Sequence, residues 1–318
     1  MSETSRLGDI APRLALPLIA APMFQVSGPD LVIAACRAGV VGAFPTSNCR
    51  TLEELDEWLG RMMAALAEHP QGRRPAPVCP NLIIRQARLE GDLEMLLRHR
   101  VEMVITSVGS PAPVVGPLHG IGCKVFADVA SLKHAEKAIA AGADGLVLLT
   151  AGAGGQTGWA NPFAFVRAVR RIFDGPIVLA GGISDGRSLW AARVLGCDLA
   201  YMGTRFLATQ ESMAKPAYKQ AVVAAELDDV MTTRAFSGLD SNMLRSSIVA
   251  AGLDPDRLDE TVTPGDSRKL FGAAAPGPRR WTDIWSAGHS VSGVGDVPLV
   301  ADLVDRLIGE YDAARRAA

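Results

Sequence analysis

Two glycine-rich stretches have the composition of an anion cradle. AGGISDG (Ala180 to Gly186) and MGTRF (Met202 to Phe206) offer backbone N–H groups with little side-chain obstruction. Ala180, Gly181, Gly182, Met202 and Gly203 could therefore grip a dianionic phosphate, with the hydroxyl of Thr204 as a further donor. A tight strand-to-helix turn would use the same glycines, and it is their recurrence at two neighbouring strands that favours the anion. A third stretch, TAGAGGQTGW (Thr150 to Trp159), surrounds one amide, Gln156, with Gly154 and Gly155 just before it. An amide donates and accepts hydrogen bonds but takes up no proton near neutral pH, so Gln156 is no general base.

Other residues offer surfaces or titratable groups. In AAPM, Ala21, Pro22 and Met23 could form a ledge for a flat ring or belong to plain core. Asn81 interrupts the apolar run CPNLII, and its amide must find partners, either a heterocycle edge or a loop. Asp128 in VFADVAS either caps the next helix or, half-buried, carries a raised pKa and serves as a base. His289 in WSAGHSVSG is either an exposed loop residue or lies over the site. Ser107 could meet substrate or cap a helix, and Trp159 could wall a pocket or pack inside. Met213, Met231 and Met243 suit a lid or a small core equally. His69, His99, His119 and His134 read as surface residues.

The elements that would position these residues alternate. Eight apolar, β-branched runs recur: LPLIAAPM, VVGAFP, PVCPNLII, MVITSVG, KVFADVA, GLVLLTA, PIVLAGG and LAYMGTRF. Each is followed by a turn signal and a helical stretch, as parallel βα units require. Thr51 with Glu54, Ser131, and Asn161 with Pro162 mark helix starts, and Gly39, Gly142 and Gly196 mark helix ends. The expected fold is α/β, a (β/α)8 TIM barrel over residues 12–208 and 281–318, with a helical cap of residues 209–280 inserted after strand eight.

With 32 basic and 34 acidic residues scattered along 318, no charged face is expected to attract nucleic acid or anionic lipid. The five cysteines, Cys36, Cys49, Cys79, Cys123 and Cys197, show no CxxC spacing, and the histidines no ligand spacing, so reduced buried thiols and no metal site are expected. The absence of a signal-like start and of a long apolar run points to the cytoplasm, with a small-molecule partner; a homodimer is compatible with this.

Taken together, IAAPM, PNLI, AGAGGQTG, VLAGGISDG and YMGTRFLATQES resemble the nitronate monooxygenase family, formerly the 2-nitropropane dioxygenases, with its NADH:quinone reductase and FMN-dependent enoyl reductase relatives. The likeness runs from Leu16 to Leu207 and returns weakly at WSAGHS. It implies an FMN-binding TIM barrel: Ala21, Pro22 and Met23 under the ring, Asn81 near its edge, Gly154 and Gly155 against it, and Ala180, Gly181, Gly182, Gly203 and Thr204 on the phosphate. It also implies a histidine where Gln156 stands, a lysine in one branch where Asp128 stands, and a glutamine where His289 stands. Gln156 could still donate its amide N–H to nitro oxygens, so oxidation of an already deprotonated nitronate by O2 is the expected activity. A neutral nitroalkane would need a base, and loss of a positioned base typically costs about 10²–10⁴ in rate, so nitronates should be preferred unless Asp128 or His289 compensates. The alternatives are a reductase fed by NAD(P)H and a flavin-binding module without turnover.

Overall fold

The computed structural model describes residues 4–67, 74–271 and 277–318. His69 and residues 273–276 of the AAAPGPRR turn lie outside the described residues. Eight parallel strands close a barrel: β1 (Leu18–Ala20), β2 (Val41–Pro45), β3 (Val78–Ile83), β4 (Met103–Ser107), β5 (Lys124–Val129) and β6 (Gly145–Leu149), then, past the two-residue β7 (Gly155–Gln156), β8 (Ile177–Ala180) and β9 (Leu199–Met202). β9 pairs back onto β1, through Ala200 with Leu18 and Met202 with Ala20. These are the eight apolar runs of the sequence.

Both faces of each strand are covered, which is why the runs lack polar alternation. Ile19, Ala43, Cys79, Ile105, Phe126, Val147, Val178 and Leu199 fill the barrel. Leu18, Ala127, Leu146, Leu148 and Leu179 face outward and pack with helix residues including Leu31, Phe165, Val166 and Leu189. Inside, a Cβ on Gly145 would lie 2.2 Å from the Phe126 ring, so the missing side chain on one stave is filled by a large one from the next.

The helix boundaries follow from local hydrogen bonding. Ser131 accepts from the amide of His134, and Asn161 from those of Phe163 and Ala164, each satisfying a first-turn N–H. Thr51 accepts from Glu54 N, but the Glu54 carboxylate reaches back to Arg50 N. Gly39, Gly142 and Gly196 take φ of +80°, +87° and +105° where helix turns to strand. The last helix, Val300–Ala317, lies on the helix Gly186–Leu195, with Trp190 edge-on to Tyr311 at 5.6 Å.

Between β9 and the last helix the expectation of a purely helical segment is corrected. Helices Pro216–Ala224, Arg245–Ala250 and Pro264–Phe271 are present, but so are β10 (Val230–Thr233) and β11 (Ser241–Leu244). These pair antiparallel, and β11 then pairs with β7, so the sheet is completed by the glutamine loop of the barrel. Asn242 Nδ2 donates to Ala153 O at 2.8 Å while its Oδ1 accepts from Thr232 Oγ1 at 2.5 Å. The segment has apolar clusters of its own, one around Tyr218, Val222 and Leu244 and another around Phe236, Met243, Ile248 and Ile284. Met231 packs against the second, whereas Met213 is exposed.

Gly145→Ala should lower unfolding stability by about 1–3 kcal/mol in denaturant titration, because the Phe126 ring must move. Gly295→Ala, where a Cβ meets nothing within 4 Å, should stay within about 0.5 kcal/mol of the parent. Asn242→Ala strips Ala153 O of its donor, and amide hydrogen exchange at Thr157, bonded to Asp240 O, should quicken about tenfold. Unchanged exchange there would show that the sheet does not hold the loop.

Candidate active site

The pairing registers descend by about one residue per stave, as a closed eight-stranded barrel with a stagger of about eight requires. Following that stagger, Ala21, Asn81, Asp128 and Ala180 come from alternate staves into one layer at the C-terminal mouth. Below it lie Ile19, Cys79, Phe126 and Val178, an apolar floor. Two alanines therefore leave space on one side of the mouth, and two polar side chains face it from the other. Sequence reasoning had singled out all four.

Asn81 is buried, and the Ser107 hydroxyl donates to its Oδ1 at 3.1 Å. That contact fixes the amide, leaving its NH₂ end to donate elsewhere. Ser107 is thus a neighbour within the mouth and not a helix cap. Asp128 is half-buried as a residue, but its Oδ1 is sealed and has no hydrogen-bond partner among the described residues. Burial pushes its carboxyl up to about 7. The capping alternative falls away, since Ser131 caps the following helix. Tyr201, on β9 and facing inward, is a mouth residue that sequence reasoning missed; burial, then the charges of Asp128 and Cys79, hold its phenol well above the usual range. The signal was its inward parity in LAYM, hidden within an apolar run.

The glycine stretches meet at neighbouring staves. Gly181 packs tightly, its Cβ position 2.6 Å from Thr150 Oγ1, which itself donates to Ala180 O. A Cβ on Gly182 would meet nothing within 4 Å, so that turn is open outward. At Gly203 φ is −99°, and a Cβ would make only ordinary contacts, 3.6 Å to Met23 Sδ and 3.7 Å to Ala21 Cβ. Neither conformation nor packing of the protein demands glycine at 203, so the cradle has room for an outside group against the backbone. Gly288 N donates to Thr204 Oγ1 at 2.9 Å, leaving the Thr204 proton free to be given. Arg205, 2% exposed, braces this turn from behind through Asp296. Pro22 and Met23 are half-buried beside it.

The glutamine loop is held by several bonds. His289 N donates to Gly152 O at 2.9 Å and Thr157 N to Asp240 O at 3.0 Å. Gly154 is accounted for by the chain itself, because a Cβ there would fall 2.8 Å from Gly288 N. Gly155 takes φ +69° on β7, and the Gln156 side chain is exposed. His289 is also exposed, with its ring lying over Gly152. Trp159 is 81% exposed, so the packed-indole expectation is corrected. The described histidines His99 and His119 pair with Asp56 and Asp144, and His134 lies on an outer helix.

All five cysteines are buried and unpaired, and burial pushes Cys36, Cys49, Cys123 and Cys197 up to about 12, leaving them unreactive. Among the described residues no helix is long and apolar enough to cross a membrane. A cleft of about 360 Å³ at the opposite end of the barrel is lined by Leu7, Leu14, Arg193, Asp198 and Tyr311. Its Asp198 is already bonded to Arg6 and Arg170, so it offers no free chemistry.

Comparison with known proteins agrees with the geometry. The family model described as nitronate monooxygenase matches residues 76–310. The (3aS,4S,5R,7aS)-5-hydroxy-7a-methyl-1-oxo-octahydro-1H-indene-4-carboxyl-CoA dehydrogenase of Rhodococcus jostii (strain RHA1) is 29% identical over 236 residues, covering 73% of this chain and 64% of that protein, just under two thirds of its length. A nitronate monooxygenase of Paraburkholderia phytofirmans is 26% identical over 302 residues, 81% of this chain and 82% of that one. The solved structure of nitroalkane oxidase from Streptomyces ansochromogenes superposes with a TM-score of 0.80 at 25% identity, over 99% of this chain and 100% of the other. The chain belongs to the nitronate monooxygenase family of flavin-dependent oxidoreductases.

Proposed function

We propose that this chain binds FMN and oxidises alkyl nitronates with O2 as the electron acceptor. The observation that carries the reading is the rim at Gly182 and Gly203, where a Cβ would meet nothing or only ordinary contacts and where, at Gly203, neither conformation nor packing of the protein requires glycine, next to a layer with two alanines. Gly181, Gly182, Gly203 and Thr204 would hold the phosphate, Ala21, Pro22 and Met23 would support the ring, and the NH₂ of Asn81 would meet its edge. Bound there, FMN supplies two-electron redox chemistry that no side chain of the mouth can perform.

The chain's own part is to bind and orient. Gln156, on a strand pinned by β11, can donate its amide hydrogens to the nitro oxygens and stabilise their negative charge. We take residues 12–208 with 281–318 as the barrel and 209–280 as a cap that shapes the substrate space. Buried, unpaired thiols support a cytoplasmic setting. A second reading, hydride from NAD(P)H passed to a carbon substrate, is supported by the dehydrogenase relative and by the dispensability of a histidine base at position 156.

Anaerobic addition of ethyl nitronate, NADH or NADPH to the FMN-loaded protein separates the readings by flavin absorbance. Bleaching by ethyl nitronate alone is expected; bleaching by a nicotinamide alone would favour the reductase, and no bleaching by any donor a non-catalytic flavin carrier. Gly203→Ala, which fits the protein, should weaken FMN binding about tenfold or more by putting a methyl group into the cradle. Full FMN retention in that variant would contradict the assignment of the phosphate site.

A further inference from the structure

Gln156 alone would confine the site to nitronates made elsewhere, because it cannot take a proton. The mouth nevertheless contains a carboxyl for which the fold gives no structural use. Asp128 Oδ1 is sealed and has no partner among the described residues, and Ser131 does the capping that Asp128 might otherwise do. A lone carboxylate oxygen in such a place is costly, and proteins keep one chiefly where a substrate or a proton satisfies it. The groups around it are few. Staves β4 and β6 present Ser107, Ile105, Val147 and Leu149, none of which titrates; Cys79 on β3 is an inert buried thiol; Tyr201 on β9 shares the mouth within about one residue of the same level.

We propose that Asp128 is the general base of this site and Tyr201 its hydrogen-bond donor, so that the substrate class extends to the neutral nitroalkane. The proposal rests on the reading of the mouth as a site for nitro compounds. In the step, the α C–H bond breaks and its proton bonds to a carboxylate oxygen of Asp128. The electron pair becomes the C=N bond of the nitronate, and the negative charge settles on the nitro oxygens. The phenol O–H of Tyr201 donates to one of those oxygens, and no oxidant is needed. The neutral acid returns its proton to water through the half-open face of the residue. Burial places the carboxyl near pH 7, where a base is both substantially ionised and strong enough to act. Tyr201, raised well above the usual phenol range, stays protonated and able to donate.

The test follows the α-protons of nitroethane by NMR in D₂O, anaerobically, with the FMN-loaded protein against buffer alone. The wild-type chain should exchange them, at a rate that climbs as pH rises through about 7 and then levels. Asp128→Asn should lower exchange about 100-fold or more and remove the pH step. Asp128→Glu should restore part of the rate, which tells a lost base from a damaged fold, and Tyr201→Phe should lower the rate about tenfold while keeping the step. Wild-type protein that bleaches with ethyl nitronate but exchanges nothing would overturn the base and leave the nitronate reading intact. Exchange without bleaching would sustain the base and sink nitronate oxidation. Asp128→Asn exchanging at the wild-type rate, with its flavin in place, would also overturn the proposal.

Discussion

A closed barrel of eight strands cannot be built without stagger, and that stagger decides which residues meet. Because each stave is displaced relative to the next, residues from alternate strands arrive at one height, far apart in sequence but adjacent in space. The mouth of this barrel is such a layer: Ala21, Asn81, Asp128 and Ala180 over Ile19, Cys79, Phe126 and Val178. Small residues on one side and polar ones on the other make an asymmetric opening, with the cradle glycines at the rim of the small side. A one-residue slip of any stave would carry its mouth residue to the outer face, where helices pack. The apolar outward positions, such as Leu18, Ala127 and Leu179, therefore protect the site by fixing the register.

A second constraint acts on the loop that faces this opening. A glycine-rich loop is costly to order, and here the order is supplied from elsewhere in the chain. β11 pairs with β7, Asn242 bonds Ala153 O, and the return segment at Gly288 and His289 lies against Gly152 and Gly154. The same return segment bonds Thr204, so the glutamine loop and the glycine rim at β8 and β9 share one neighbour. Changes in the inserted segment should consequently be felt at Gln156 without touching a ligand.

The barrel was legible in the sequence because strands covered on both faces leave unbroken apolar runs, and because caps and left-handed glycines are local signals. Asn81 and Asp128 were legible for the opposite reason: each breaks a run with a polar group that must be explained. What local pattern could not give was pairing between distant segments. β10 and β11 lie in a stretch that reads locally as helix and loop, because their partner, β7, is two residues long and lies in a barrel loop. Tyr201 is not distinguishable by local pattern, because its parity matters only once the stagger is known. Trp159, an indole in a glycine-rich loop, reads as wall or core, and its exposure removes only the core. Of the roles open to Asp128, the cap made by Ser131 removes the capping one.

We propose from these features that backbone amides at the β8 and β9 ends hold an anion, with the rest of the ligand laid over the small side of the mouth. The claim concerns the phosphate group specifically, so the most direct measurement compares calorimetric binding of FMN with that of riboflavin, which lacks it. Several charge-assisted amide contacts should make FMN bind more tightly by about a hundredfold or more. Equal affinity for the two would contradict the account.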